Sequence, residues 1–310
     1  MKIGIIGSGI SGMMTAWMLG NKADEIVLFD KQQPGQESSW AGGGILSPLY
    51  PWRYADSVTR LASASQAIYA DIVREIHEES GIDPEYVRSG MLIFSPEEEE
   101  TARDWAQRWS IPLETLDRDD VSELEPALAA PEDKAIWFPG VAQVRNPKLM
   151  KALYAILSNR PNMRFMVDEE VNQITALPTQ EIQLETKTQN ETFDKVVLCA
   201  GAWSPLLVEH FDIRPDIRPV RGQMLMFRAE PGTISRMVLE SNRYVIPRRD
   251  GRTLFGSTIE DVGFDKQTTK TARDELYRIA TERFPILKQY TVEAHWAGLR
   301  PSSMKRIPVH

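Results

Sequence analysis

The stretch KIGIIGSGISG, residues 2–12, decides the fold of this chain. Residues 2–7 form a short apolar run that ends in glycine, which is typical of a strand buried on both faces. From Ser11 to Gly20 the apolar spacing is helical, and residues 25–30 (EIVLFD) form a second apolar run. A strand, a glycine turn, a helix and a strand within about 30 residues predict a right-handed βαβ unit.

Gly7, Gly9 and Gly12 form a GxGxxG pattern at the junction of this strand and helix, and Asp30 ends the next strand. In a dinucleotide site the first glycine allows the tight turn, the second lets the backbone approach a pyrophosphate, and the third lets helix and strand pack closely. An acidic residue in the position of Asp30 accepts hydrogen bonds from the adenosine ribose. The context favours a dinucleotide site over a glycine turn that binds no nucleotide.

Two further segments favour FAD over NAD as the dinucleotide. Residues 37–48 (ESSWAGGGILSP) place three glycines among large apolar side chains, which favours close backbone contact with a large flat ligand over a flexible linker. Residues 196–204 (VVLCAGAWS) are a second apolar strand that runs into a turn of small residues; a long FAD is touched by several strand ends, although a plain strand and turn would explain this segment alone. Cys199 is interpreted as a small buried hydrophobe rather than a flavin attachment point or nucleophile.

The rest of the chain mixes helical patterns with strand patterns. Hydrophobic periodicity predicts helices over residues 56–80, 96–110, 147–160 and 269–284. Strands are predicted over residues 90–95, 135–145 (as strand, turn and strand), 163–167, 170–176, 181–187, 193–199, 219–228, 236–240, 243–248, 252–257 and 291–296, with a hairpin turn at Arg249-Asp250-Gly251. Because no linker separates the two patterns, we expect two interleaved domains.

Composition narrows the class of protein. A length of 310 residues allows two domains or one large one, and 36 basic against 44 acidic residues argue against a nucleic-acid binder. One cysteine excludes an internal disulfide framework, and four histidines far apart in sequence give no reason to expect a metal site. The apolar start resembles a signal peptide, but its glycines and the strand that follows argue against one. We therefore expect a cytoplasmic protein that makes no use of a membrane.

Several segments resemble one family of flavoenzymes. These segments are ESSWAGGGILSPLYPWRY, VRNPKL, VRGQM, YVIPRRDG, GSTIEDVGFDK and HWAGLRP. They are similar to the FAD-dependent amine and amino-acid oxidases, the family of D-amino-acid oxidase and sarcosine oxidase, and most of all to its glycine-oxidase branch. The resemblance spans essentially the whole chain, and WAGGGILSP and WAGLRP are specific to that branch.

The resemblance implies an α/β fold of the D-amino-acid-oxidase type. Its Rossmann-like FAD-binding domain, with a parallel sheet, is expected over residues 1–85, 143–217 and 291–310. A substrate-binding domain of the α+β type, with an antiparallel sheet, is expected over residues 86–142 and 218–290.

The resemblance also implies an activity. FAD takes a hydride from the α-carbon of glycine, sarcosine or a small D-amino acid, and molecular oxygen is reduced to hydrogen peroxide. Hydrolysis of the imine made from glycine gives glyoxylate and ammonia, while in thiamine biosynthesis the imine feeds thiazole formation. The expected partners are the small amino acid and oxygen, with no nucleic acid, membrane or metal, and both a monomer and a homo-oligomer stay open.

The resemblance also assigns roles to residues. Arg300, in WAGLRP, matches the arginine that binds the substrate carboxylate, and Tyr244 matches a tyrosine that assists it. Asn242, Ile259 and Ile45 match positions that line the substrate pocket or face the flavin. Without the resemblance, an arginine beside a proline is more often a surface residue and a strand tyrosine is more often packing. The implied cofactor contacts are Gly7, Gly9, Ile10, Ser11, Gly12, Asp30, Lys31, Ser38, Ser39, Gly42, Gly43, Gly44, Ile45, Val171, Ala200, Gly201 and Trp203.

One departure and two alternatives qualify the resemblance. Family members continue for some tens of residues with a Gly-His-x-x-Asn-Gly turn, and nothing after Pro301 matches it, so we expect either a truncated chain or a protein that works without that segment.

One alternative function is a D-amino-acid dehydrogenase that passes electrons to a quinone. The other is a catalytically impaired flavin-binding protein. Arg221, in VRGQM, is a weaker candidate that we interpret as structural.

Overall fold

The predicted βαβ unit opens the fold. A computed structural model describes residues 1–129, 133–213 and 215–303. Its first elements are β1 (Lys2–Ile6), α1 (Ile10–Leu19) and β2 (Glu25–Phe29). The two strands pair in parallel, with Ile3 opposite Ile26, and all but the first residue of each strand is buried, as apolar runs without alternation require.

The remaining elements follow in chain order. The further helices are α2 (Ser38–Ala41), α3 (Asp56–Ser80), α4 (Glu99–Trp109), α5 (Arg118–Leu124), α6 (Asn146–Ser158), α7 (Ser204–Leu207) and α8 (Lys270–Arg283). The further strands are β3 (Met91–Phe94), β4 (Glu114–Asp117), β5 (Lys134–Phe138), β6 (Met163–Met166), β7 (Gln173–Ala176), β8 (Ile182–Glu185), β9 (Asn190–Phe193), β10 (Lys195–Leu198), β11 (Arg218–Arg228), β12 (Met237–Glu240), β13 (Arg243–Pro247), β14 (Arg252–Gly256) and β15 (Val292–Ser302). None of the described helices is long and apolar enough to cross a membrane.

A four-stranded parallel sheet has the order β10-β1-β2-β6. Met13 of α1 and Leu153 of α6 pack in the cluster on one face, together with Ile26 and Leu28 of β2. The antiparallel sheet β7-β8-β9 covers the other face, where the ring of Phe193 meets that of Phe29 edge to face at 5.8 Å. This arrangement confirms the predicted Rossmann-like parallel sheet.

A larger sheet of eight strands has the order β15-β11-β14-β13-β12-β3-β5-β4. Alternation along its strands sends Leu225 and Val245 into the cluster that includes α8, and Met224 and Ile246 into the cluster on the opposite face. The sheet is antiparallel except where β3 pairs in parallel with β12. The expected antiparallel sheet is therefore present, with one parallel pair in its interior.

Some predicted boundaries differ from the structure. The final strand is predicted over residues 291–296, and residues 291–310 are expected to belong to the FAD-binding domain. In the structure, β15 runs to Ser302 and pairs with β11 of the large sheet. β15 is long because it pairs along the eleven residues of β11. The hydrophobic periodicity of residues 291–302 alone does not reveal this partner. Residues 304–310 lie outside the described residues, and the division into domains stays a prediction.

Several local structures were not predicted. The short helices α2, α5 and α7 and the strand β4 lie in segments for which no helix or strand was predicted, and β9 lies mostly before the strand predicted over residues 193–199. In contrast, the second strand expected within residues 135–145 forms only isolated bridges, in which Gln143 faces Ile45 and Val87.

Candidate cofactor and substrate site

The turn between β1 and α1 is packed tightly against the end of β10. Gly7 has a φ of +100°, which favours glycine, and a Cβ there would collide with the backbone carbonyl of Cys199. A Cβ on Gly12 would collide with the carbonyl oxygen of Gly7. Both collisions involve backbone, so Gly7 and Gly12 are required by the geometry of the turn, whereas a Cβ on Gly9 would meet only the side-chain hydroxyl of Ser39 at 3.0 Å.

Asp30 lies beside this turn at the carboxyl end of β2. Its carboxylate accepts hydrogen bonds from the backbone N–H groups of Ser8 at 2.8 Å and Gln32 at 3.2 Å. Burial raises the pKa of the Asp30 carboxyl, and the two N–H donors offset part of that rise. The buried Ser8 hydroxyl has no hydrogen-bond partner within the described part of the chain.

A cleft runs along the carboxyl ends of the parallel strands, with about 990 Å³ of space including its open mouth. Most residues predicted to contact the cofactor line it, namely Gly7, Gly9, Ile10, Ser11, Asp30, Lys31, Ser38, Ser39, Val171, Ala200, Gly201 and Trp203. Gly44 and Ile45 line an adjoining space of about 680 Å³ that also touches Ile10, Ser38 and Ser39. The ends of open parallel sheets are where such folds bind dinucleotides.

Trp203 and Lys31 line one part of the cleft. The Lys31 ammonium lies 3.5 Å above the ring of Trp203, which packs on Phe264 at 5.3 Å. Burial lowers the pKa of Lys31. Cys199, on the cleft wall, is half-buried and burial raises the pKa of its thiol, as its interpretation as a small hydrophobe expects.

The three consecutive glycines, residues 42–44, are held by hydrogen bonds to their carbonyl oxygens. The side-chain amide of Asn146 donates to Gly42 at 3.0 Å, and the N–H of Val144 donates to Gly44 at 2.9 Å. The guanidinium of Arg248 donates to Gly43 at 2.7 Å. The loop is thus fixed rather than flexible.

Arg248 was not predicted as a site residue. It is 7% exposed and also donates to the side chain of Gln143 at 2.6 Å and the carbonyl of Val144 at 2.9 Å. Burial, with a smaller contribution from Arg145, lowers its pKa to about 10. In the sequence it stands beside Arg249, whose side chain is 51% exposed, and no local pattern distinguishes the two arginines.

The two segments most specific to the resembled branch meet in space. The indole N–H of Trp296 donates to the carbonyl of Ala41 at 3.0 Å, and its ring contacts that of Trp40 edge to face at 5.8 Å. A Cβ on Gly43 would come within 3.3 Å of the ring of Tyr244. The glycine loop therefore lies next to the strands that carry Tyr244 and Arg300.

Arg300 and Tyr244 converge on one hydroxyl that the sequence did not identify. The guanidinium of Arg300 donates to Ser257 Oγ, and the phenol of Tyr244 donates to the same oxygen at 3.2 Å. A second nitrogen of Arg300 donates to the carbonyl of Thr258 at 3.3 Å. A guanidinium has five N–H donors, so three have no partner among the described residues and can bind a ligand, and planar carboxylates are its best partners.

The other predicted pocket residues lie outside these hydrogen bonds. Asn242 occupies the turn between β12 and β13 with a φ of +61°, and its N–H donates to Tyr50 at 3.4 Å. Ile259 is 65% exposed. Ile45 faces Gln143 beside the glycine loop. Their roles in lining a substrate pocket stay predictions.

Arg221 has the structural environment expected for it. Its buried guanidinium forms ion pairs with Glu260 at 2.6 Å and Asp265 at 2.7 Å. Glu260 also accepts from Gln223 at 2.8 Å. These pairs attach the segment after β14, which contains Ser257 and Thr258, to β11.

The residues of the cleft fit FAD. The turn has no room for side chains at Gly7 and Gly12, the Asp30 carboxylate borders the cleft, and the buried hydroxyl of Ser8, within the turn, has no hydrogen-bond partner among the described residues. Within the described residues, no group of three or more His, Cys, Asp or Glu side chains is placed to hold a metal ion.

Comparison with known proteins gives one consistent result. The model of the family "FAD dependent oxidoreductase" matches residues 2–310. Glycine oxidase of Pseudomonas putida is 39% identical over 99% of this chain and 84% of its own length. Bifunctional protein ThiO/ThiG of Trichormus variabilis is 24% identical over 98% of the chain and 47% of that protein. The crystal structure of glycine oxidase from Geobacillus kaustophilus superposes with a TM-score of 0.90 at 25% identity, covering 99% of this chain and 84% of that one.

Proposed function

Since the chain belongs to the FAD-dependent oxidoreductase family, we propose that it is an amino-acid oxidase whose substrate is glycine. The relatives named glycine oxidase support this substrate, at 39% identity over nearly the whole chain. The convergence of Arg300 and Tyr244 beside the glycine loop is the observation that carries the proposal.

Arg300 is proposed to bind the carboxylate of the substrate. Its side chain is half-buried, two of its nitrogens are already anchored on the segment after β14, and its remaining N–H groups match the planar carboxylate. Tyr244 extends the same site, since its ring lies against Gly43 and its hydroxyl reaches Ser257. The carboxylate would be held at this end, which leaves the α-carbon and amino group toward the glycine loop.

The glycine loop is proposed to form one wall of the reaction site. Arg248, Asn146 and Val144 hold its carbonyl oxygens, so its position does not have to be organised when ligands bind. Gly7, Gly9 and Asp30 would hold the dinucleotide end of FAD. When bound, FAD supplies the two-electron chemistry, and the protein's contribution is binding and orientation.

The proposed reaction is a two-electron oxidation of the amine. Glycine loses a hydride from its α-carbon and a proton from its nitrogen, which gives the imine, and oxygen takes up two electrons and two protons to give hydrogen peroxide. Hydrolysis of the imine gives glyoxylate and ammonia. Sarcosine and small D-amino acids are further proposed substrates, because one methyl group changes binding by only about 1–3 kcal/mol.

We also propose a setting for the reaction. The relative named ThiO/ThiG supports the use of the imine for the thiazole of thiamine. The excess of acidic over basic residues and the single cysteine favour a cytoplasmic enzyme.

The proposal is tested by measuring peroxide release from the FAD-loaded protein with glycine, sarcosine and D-alanine. We expect glycine-dependent peroxide, one equivalent for each equivalent of amine consumed. Turnover that needs an artificial dye and proceeds equally without oxygen would indicate the quinone-linked dehydrogenase instead. Tight FAD binding without turnover of any small amine would indicate the flavin-binding alternative.

A further inference from the structure

Ser257 follows β14 and is 3% exposed, yet both proposed substrate-binding side chains reach it. Arg300 comes from β15 and Tyr244 from β13, two strands that do not pair with each other. Their donors meet on Ser257 Oγ. One hydroxyl oxygen therefore joins two side chains that the sheet topology holds on separate strands.

Ser257 and Thr258 are held in place by groups from three other strands. The guanidinium of Arg243, on β13, donates to the Ser257 carbonyl at 2.9 Å. The N–H of Gln223, on β11, donates to the hydroxyl of Thr258 at 2.8 Å. Arg300, on β15, donates to the Thr258 carbonyl. The Ser257 hydroxyl is thus presented by a rigid segment.

A rigid acceptor matters because the side chain of arginine is long and carries large rotamer entropy. The Ser257 hydroxyl and the Thr258 carbonyl together fix the plane of the Arg300 guanidinium through two different nitrogens. A site whose donors are oriented before the ligand arrives does not spend binding energy on ordering them. The same oxygen holds the Tyr244 hydroxyl next to that plane.

We propose that Ser257 is a positioning residue for the substrate carboxylate. Its hydroxyl oxygen is the shared acceptor that orients the side chains of Arg300 and Tyr244 around the place where the carboxylate binds. This inference rests on the proposed function, in which Arg300 binds the carboxylate. It assigns Ser257 no contact with the reacting atoms. Its loss should therefore weaken carboxylate binding and leave the chemical step nearly unchanged.

The test compares Ser257→Ala with Ser95→Ala in the FAD-loaded protein. Ser95 is a matched control, since it is 4% exposed and its hydroxyl also accepts a hydrogen bond from an arginine, Arg53. Its hydroxyl bonds to Glu98 and not to the proposed substrate-binding side chains. Acetate, which has a carboxylate and no amino group, is titrated by its effect on flavin absorbance. KM and kcat for glycine are measured on the same preparations, together with the Kd for FAD and the thermal midpoint of the FAD-free protein.

We expect Ser257→Ala to raise the Kd for acetate and the KM for glycine about tenfold, the effect of losing one charge-assisted hydrogen bond. Its kcat, FAD affinity and thermal midpoint should match those of Ser95→Ala. If Ser257→Ala does not fold, Ser257→Cys fills the same space with a weak acceptor and carries the same expectations.

Two outcomes would overturn the inference. One is an acetate Kd within twofold of wild type in the variant. The other is a loss of acetate affinity that is matched by losses of FAD affinity and thermal midpoint, which is the pattern of a purely structural residue. A third outcome separates this inference from the proposed function. If Ser257→Ala binds acetate more weakly than wild type does, but wild type does not oxidise glycine, the proposed function is contradicted and the positioning role stands.

Discussion

The guanidinium of Arg300 lies directly over the α-carbon of Gly222, so closely that a Cβ at position 222 would overlap the guanidinium nitrogens. The two residues sit on the paired strands β15 and β11, where Gly222 faces Gly298 across the ladder. The absence of a side chain at position 222 therefore defines the place that Arg300 occupies.

Gly222→Ala should displace the guanidinium and weaken substrate binding. The backbone on both strands is locked by the ladder, so the side chain of Arg300 must move, and misplacing a binding group by about 1 Å costs up to about a hundredfold in rate. We expect KM for glycine to rise about tenfold or more. Gly140→Ala is the control, because nothing lies within 4 Å of a Cβ there. Equal KM values for the two variants would contradict the assignment of Arg300.

Arg300→Lys tests whether planarity, and not charge alone, is needed at this site. Lysine keeps the positive charge but cannot bind a carboxylate through two parallel N–H groups. The expected loss is about 2 kcal/mol, or about thirtyfold in KM for glycine, with a smaller change in kcat. Arg218→Lys is the control, since Arg218 begins β11, the strand that pairs with β15, but its side chain is half-exposed and pairs with Asp261. An unchanged KM in Arg300→Lys would argue against carboxylate binding by this residue.

Arg248→Met tests the anchoring of the glycine loop. The substitution leaves the carbonyls of Gly43 and Val144 and the amide oxygen of Gln143 without their donor. We expect the free energy of unfolding of the FAD-free protein to fall by about 2–4 kcal/mol, measured with urea, and the Kd for FAD to rise.

Arg249→Met is the matched control for that measurement. The neighbouring arginine is half-exposed and forms an ion pair with Asp83 at the surface, which contributes at most about 1 kcal/mol. If the two variants lose the same stability, the buried hydrogen bonds of Arg248 do not hold the loop.

Asp30→Asn tests the buried carboxylate through the pH dependence of stability. The pKa of Asp30 is raised in the folded protein, so the unfolded chain releases this proton at a lower pH and wild type loses stability as the pH rises through the folded pKa. The stability of FAD-free Asp30→Asn relative to wild type should therefore increase as the pH is raised from 4 to 7. The FAD affinity of the variant should be about tenfold weaker, because the ribose loses a charged acceptor.

Asp274→Asn gives the opposite sign and serves as the control. A hydrogen bond from the Lys270 ammonium lowers the pKa of this exposed carboxyl, so wild type gains stability relative to that variant as the pH rises. Parallel pH profiles for the two variants would contradict the environment assigned to Asp30.

The sequence predicts the fold where local patterns determine the structure. The apolar runs of β1 and β2, the glycine turn between them and the 25 residues of α3 are all readable from periodicity and turn chemistry. The length of β15 cannot be predicted from local patterns, because it is set by pairing with β11, which lies some 70 positions earlier in the chain. Strand pairing of this kind depends on contacts that a local window does not contain.

The candidate site divides in the same way. Arg300 and Tyr244 stand in recognisable segments, whereas Ser257 and Arg248 acquire their importance only from burial and from partners distant in sequence. The local sequence gives no sign that these two residues are buried: Ser257 stands in the polar segment GSTIED, and Arg248 stands beside a second arginine. Their roles follow from the folded structure.

The most direct test of the central proposal is the anaerobic mixing of FAD-loaded protein with glycine while the flavin absorbance is followed. We predict complete loss of the oxidised flavin band, slowed when the α-hydrogens of glycine are replaced by deuterium, and its return with peroxide release when oxygen is admitted. A flavin that stays oxidised in the presence of saturating glycine would contradict the proposed function.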